Sequence, residues 1–130
     1  MQEIYVDDIG EGYPLVLVHG YLGSSEMWKF QKDYLSKYFR IISPALPGFG
    51  ESHNIQSVDS INLMAQIILK IIDDKKIDKF NLIGHSMGGM IAQEITEKIK
   101  RQSMMSCSTI PAFMIAPKKV NSLTGGAGAG

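Results

Sequence analysis

The sequence predicts an α/β domain in which helices cover both faces of a mostly parallel sheet. Three observations carry this. The runs "LVLVHG" (15–20), "FRIISPAL" (39–46) and "KFNLIGH" (79–85) are short, apolar and β-branched, as strands buried on both faces are. Segments with helical periodicity separate them. Strand and helix therefore alternate along the chain, which is the pattern of a parallel sheet with right-handed crossovers.

Each element has its own signal. Residues 2–7, "QEIYVD", alternate polar and apolar as a half-buried antiparallel strand does, and "DIGEGYP" supplies turn chemistry. Residues 25–38 place Trp28, Gln31 and Leu35 at helical spacing, with Ser24 or Ser25 available as cap. The glycines and prolines of "PGFGESHN" (47–54) mark a loop. In a helix predicted over 58–76, Ile61, Met64, Ala65, Ile68, Leu69 and Ile72 share one face. Leu63, Ile67 and Ile71 lie off that face and call for further cover. The helix 87–100 turns Gly88, Ile91, Ala92, Ile95 and Ile99 inward, and "SMMSCST" (103–109) reads as one more strand. Residues 1–116 form the predicted core, and the Gly/Ala-rich 117–130 a weakly ordered tail.

Composition removes several function classes. Thirteen basic residues cancel thirteen acidic ones, so no global field recruits nucleic acid or an anionic membrane. No apolar run reaches the roughly 18 residues of a membrane span. A single cysteine and an acidic, polar first segment fit a cytoplasmic setting. No residue pattern calls for a metal or a cofactor.

Two motifs carry chemistry. In "GHSMG" (84–88) a serine sits between glycines, after an apolar strand and before an amphipathic helix. Such a turn lifts the hydroxyl above the sheet edge and aims helix N–H groups at the same spot. "HGYLG" (19–23) also follows an apolar strand, where a backbone N–H is available to a developing oxyanion.

"LVLVHGYLGSSEMW", "RIISPALPGFGESH" and "NLIGHSMGGMIAQEI" together resemble three successive signatures of the α/β-hydrolase superfamily, over about residues 3–110. The resemblance implies an α/β-hydrolase fold, truncated so that the C-terminal strands and lid are missing. It makes Ser86 the nucleophile and the N–H groups of Met87 and Tyr21 the oxyanion donors, with Leu22 a substitute for Tyr21. A serine at that turn argues against dehalogenase or epoxide hydrolase chemistry. Ala45 departs from the aspartate usual in the family, which bears on loop bracing more than on mechanism.

The same resemblance exposes a gap. In this superfamily the acid and then the histidine follow the nucleophile, yet after Ser86 there is no histidine and no aspartate. Glu94 and Glu97 lie within the helix that leaves the turn. His19, His53 and His85 all precede or adjoin Ser86, and each is a poor base by position; Asp59 belongs to a helix start. The sequence therefore predicts a serine hydrolase of a small-molecule acyl substrate such as an ester, with its triad incomplete in this chain. The competing reading is an inactive relative that binds a small ligand or a partner. Its last strand is expected to leave an edge open to self-association.

Overall fold

The computed structural model describes residues 3–21, 23–102 and 113–115. Its elements run β1 (Val6–Ile9), β2 (Tyr13–Val18), a 3-10 turn (Ser25–Trp28), α1 (Lys29–Leu35), β3 (Phe39–Pro44), a second 3-10 turn (Gly50–Ser52), α2 (Ile61–Asp74), β4 (Asn81–His85), α3 (Met87–Gln102) and β5 (Phe113–Ile115). The sheet order is β1-β3-β2-β4-β5. All pairs are parallel except β1 with β3, whose antiparallel register sets Asp7 opposite Ser43 and Asp8 opposite Ile42.

Burial on both faces explains the unbroken apolar strands. On one face Val16, Val18, Ile42 and Leu82 pack against Met64, Ala65, Ile68 and Ile72 of α2 and Ile91, Ala92, Ile95 and Ile99 of α3. On the other, Leu15, Leu17 and Ile41 pack against Trp28. On the predicted inner faces Met64, Ala65, Ile68 and Ile72 of α2 and Gly88, Ile91, Ala92, Ile95 and Ile99 of α3 are buried, while Ile61 and Leu69 are half-buried against the same core.

Several boundaries differ from expectation. The first strand is Val6–Ile9, not 2–7, because its paired residues are those that its aspartates can anchor. Asp7 and Tyr5 face α1, where Lys32 ion-pairs with Asp7 and the Tyr5 hydroxyl donates to it at 2.6 Å. Asp8 faces the other way and takes two bonds from Arg40, 2.9 and 2.8 Å, and one from Lys75 at 2.8 Å. The helix expected over 25–38 divides into a 3-10 turn, capped by the Ser24 hydroxyl, and the short α1. The long helix starts at Ile61 rather than 58, because Ser60 has extended backbone and its hydroxyl accepts the Leu63 N–H at 3.2 Å; Asp59 is not the cap. The strand expected at 103–109 lies outside the described residues, as does the tail 117–130. The strand beside β4 is Phe113–Ile115, inside a segment with no evident period.

The off-face apolar residues of α2 find partial cover. Ile67 and Ile71 line an open groove of about 540 Å³ with Ile4, Val6, Ile55 and Val58. Leu63 remains exposed. Among the described residues no helix is long and apolar enough to cross a membrane.

α2 ends in a Schellman turn. The Ile77 N–H reaches the Ile72 carbonyl at 3.1 Å and the Lys76 N–H the Asp73 carbonyl at 2.9 Å, which forces Lys76 to φ 59°. Glycine adopts this conformation without a Cβ clash. Lys76→Gly is therefore expected to raise stability by up to about 1 kcal/mol, read as a higher urea midpoint with unchanged slope.

The Asp8 carboxyl is held down to about 2, first by its Arg40 hydrogen bonds and then by Lys75. A depressed carboxyl contributes stability above its unfolded value near 3.9 and loses it as pH falls toward the folded value. Stability should thus fall between about pH 4 and pH 2, and Asp8→Asn should flatten that part of the profile in denaturation measured against pH.

Candidate active site

β2 and β4 are parallel neighbours, so their carboxyl ends share one edge of the sheet. The chain leaves β2 toward β3 on one side and leaves β4 toward β5 on the other. Such a divergence opens a crevice at the strand ends. His19 and Gly20 follow β2 there, and Ser86 follows β4.

Ser86 has φ 58°, the left-handed region. For a residue with a Cβ this costs about 1–2 kcal/mol. The turn is that tight because α3 begins at once: the Gly89 N–H bonds the Ser86 carbonyl at 2.8 Å. Gly84 and Gly88 make the close approach possible. A Cβ on Gly84 would overlap the Gly88 carbonyl oxygen, and one on Gly88 would overlap the Val18 carbonyl oxygen. Met87, as first residue of α3, has no intrahelical carbonyl for its N–H.

The loop after β2 crosses over this turn. A Cβ on Gly20 would stand 2.8 Å from the His85 carbonyl oxygen and 3.0 Å from Ser86 Cβ. The Gly20 carbonyl accepts the Gly23 N–H at 3.0 Å and meets His19 Nδ1 at 2.8 Å. Tyr21 is 68% exposed, and its ring stands edge-on to Phe49 with centroids 5.6 Å apart. The structure thus brings Ser86, Met87 and the Gly20–Tyr21 backbone into one corner. Leu22 lies outside the described residues.

Two of the three histidines are engaged away from Ser86. His19 is fully buried; its Nε2 accepts the Leu46 N–H at 2.9 Å, which leaves Nδ1 to donate to Gly20. Burial lowers its pKa. His53 is exposed, with Nδ1 3.0 Å from the Gly50 carbonyl. His85 is half-buried, and its Nδ1 is enclosed without a hydrogen-bond partner among the described residues. Glu94 is taken up by Lys98 and Arg101 on the surface of α3. Ala45 is buried and ties the loop through its backbone, its N–H bonding the Tyr5 carbonyl at 2.8 Å.

Sequence reasoning missed Phe49 and the Leu46 N–H. Phe49 packs edge-on to both His19, at 5.9 Å, and Tyr21. The signal was present in "LPGFG" (46–50), a loop that leaves the strand next to β2 at the same sheet edge.

The glycine contacts are backbone against backbone, so no side-chain rotation relieves them. Gly84→Ala or Gly88→Ala should destabilise the fold by about 2–3 kcal/mol or more, read by urea denaturation. Ser86→Gly should do the reverse, gaining up to about 1 kcal/mol, whereas Ser86→Ala keeps the strain.

Comparison with known proteins places the fold. A (E)-2-((N-methylformamido)methylene)succinate hydrolase of Acinetobacter baylyi is 32% identical over 101 residues, covering 75% of this chain and 38% of that protein. A pimeloyl-[acyl-carrier protein] methyl ester esterase of Photobacterium profundum is 36% identical over 108 residues, covering 80% and 40%. A thermophilic esterase from Thermogutta terrifontis superposes with a TM-score of 0.69 at 37% identity, over 75% of this chain and 36% of that one. The chain thus spans well under half the length of these relatives. The sequence model of the alpha/beta hydrolase fold matches residues 13–124, and with that match the chain belongs to the α/β-hydrolase superfamily.

Proposed function

We propose that this chain carries the nucleophile and oxyanion half of a serine hydrolase acting on an ester or similar small acyl substrate. Ser86 Oγ attacks the carbonyl, the ester C–O bond breaks and the alcohol leaves with a proton equivalent to the one serine gives up; water then cleaves the acyl-enzyme, releasing the acid and restoring the hydroxyl. The N–H groups of Met87 and Tyr21 receive the oxyanion. The observation that carries the reading is the left-handed Ser86 at the start of α3, beneath Gly20. The named relatives include two ester-cleaving proteins, which favours an ester bond. A cytoplasmic setting belongs to this reading and rests on the lone cysteine.

A second reading has its own support. None of the hydrogen bonds made by His19 or His53 reaches Ser86, and Glu94 is bound elsewhere. On this reading the chain by itself is catalytically silent, serves at most in binding a small ligand or a partner, and self-associates through the sheet edge at β5.

A fluorophosphonate probe separates the two. The hydrolase reading expects slow labelling mapped to Ser86 and abolished in Ser86→Ala. Label on another residue, or an unchanged signal in that variant, would overturn it. Rapid stoichiometric labelling would mean that a base is already in place.

A further inference from the structure

We propose that His19 is a positioning residue: held with its proton on Nδ1, it fixes the Gly20–Tyr21 peptide and thereby turns the Tyr21 N–H toward Ser86. This rests on the serine hydrolase reading and assigns a task to a histidine that the reaction itself does not use.

A trans peptide is planar, and its C=O and N–H point in opposite directions. The described chain holds no cis peptide bond. Whatever fixes the Gly20 carbonyl therefore also fixes the Tyr21 N–H, pointed the other way. Gly20 has no Cβ, so steric terms alone leave this peptide free to rotate. Two donors stop it, the Gly23 N–H at 3.0 Å and His19 Nδ1 at 2.8 Å. Both hold the carbonyl within the 20–23 loop, while Gly20 itself lies against the Ser86 Cβ and the His85 carbonyl.

The ring is held in turn from its other side. The Leu46 N–H can only donate, so Nε2 at 2.9 Å must offer its lone pair and the proton must sit on Nδ1. Phe49 packs edge-on to the ring and also against Tyr21. A hydrogen-bond chain thus runs from the end of β3 through the imidazole to the loop after β2. With both nitrogens committed and no surface exposed, His19 has no lone pair for the serine proton.

Two substitutions divide the chain at the ring. His19→Asn places an amide N–H near the Nδ1 position and keeps the bond to Gly20. His19→Gln places an amide oxygen near the Nε2 position and keeps the bond to Leu46. Fluorophosphonate labelling of Ser86 should stay within about threefold of the parent in His19→Asn. In His19→Gln it should slow by roughly 10–100-fold, less than the roughly 10²–10³ of losing an oxyanion donor outright, because the Gly23 N–H still holds the Gly20 carbonyl. Equal rates in the two variants, or the opposite order, would overturn the assignment. Nitrogen-15 spectra of the unmodified chain provide a check that needs no variant to fold: Nδ1 of His19 should carry the proton, and an Nε2–H tautomer would sink the proposal. The Tyr21 amide resonance should hold in His19→Asn and move in His19→Gln. If Ser86 takes up no label even in the parent, the hydrolase reading fails, while the tautomer and the Tyr21 amide still decide what His19 holds.

Discussion

The close contact between the backbone of α3 and the ends of β2 and β4 is the constraint from which the rest follows. Gly88 lies against the Val18 carbonyl and Gly84 against Gly88, with no room for a Cβ at either. Helix and strands can approach this closely only if the chain turns within a single residue, which sends Ser86 into the left-handed region. The same approach seats Ile91, Ala92, Ile95 and Ile99 on the sheet. Packing and site geometry are one feature here: the glycines that let α3 dock also set Ser86 in its left-handed turn.

The opposite edge is organised by charge. β1 is a short antiparallel edge strand with half-buried to exposed residues, so hydrophobic burial alone holds it weakly. Its two aspartates anchor it on both faces, Asp7 through Lys32 of α1 and Asp8 through Arg40 of β3 and Lys75 after α2. Burial would raise the Asp7 carboxyl, but hydrogen bonds from Lys32 and Tyr5 hold it below the usual carboxylate range. Asp7 in return pushes the Tyr5 phenol up to about 12. Partial shielding makes these pairs worth more than free surface pairs, although part of that gain is offset by desolvation.

What was legible in the sequence is what local pattern and strong motifs encode. Three buried parallel strands, the inner faces of α2 and α3, and the serine turn follow from apolar periodicity and from glycines that only a close approach requires. The boundaries were not legible, because they depend on partners far along the chain. β1 is shifted by aspartates whose cations lie at 32, 40 and 75, and α2 starts where Ser60 happens to be extended. β5 was missed because "AFMIA" is a short apolar run between Pro111 and Pro117 with one β-branched residue; it is assigned by pairing with β4. What holds His19 was half legible. Its place at a strand end marks it as a poor base, but the Leu46 N–H that sets its tautomer comes from 27 residues away.

Two non-glycine residues among those described adopt positive φ, and they differ in kind. Lys76 closes a helix, and its side chain points into solvent with no bond that needs it; its strain is incidental to a Schellman turn. Ser86 bears the same strain at the junction of β4, α3 and the Gly20 loop. Glycine takes such conformations elsewhere in this chain, at Gly10, Gly12, Gly48 and Gly50, so the backbone path alone does not demand a side chain at 86. The cost of about 1–2 kcal/mol therefore attaches to the Cβ and the hydroxyl it carries. That hydroxyl stands at the start of a helix, where the macrodipole favours negative charge, under a glycine whose neighbouring peptide has its carbonyl tied away. On the proposed reading the strain, the dipole and the tethered peptide serve one oxygen position from three parts of the chain, because an acyl carbonyl under attack is the chemistry that would use all three.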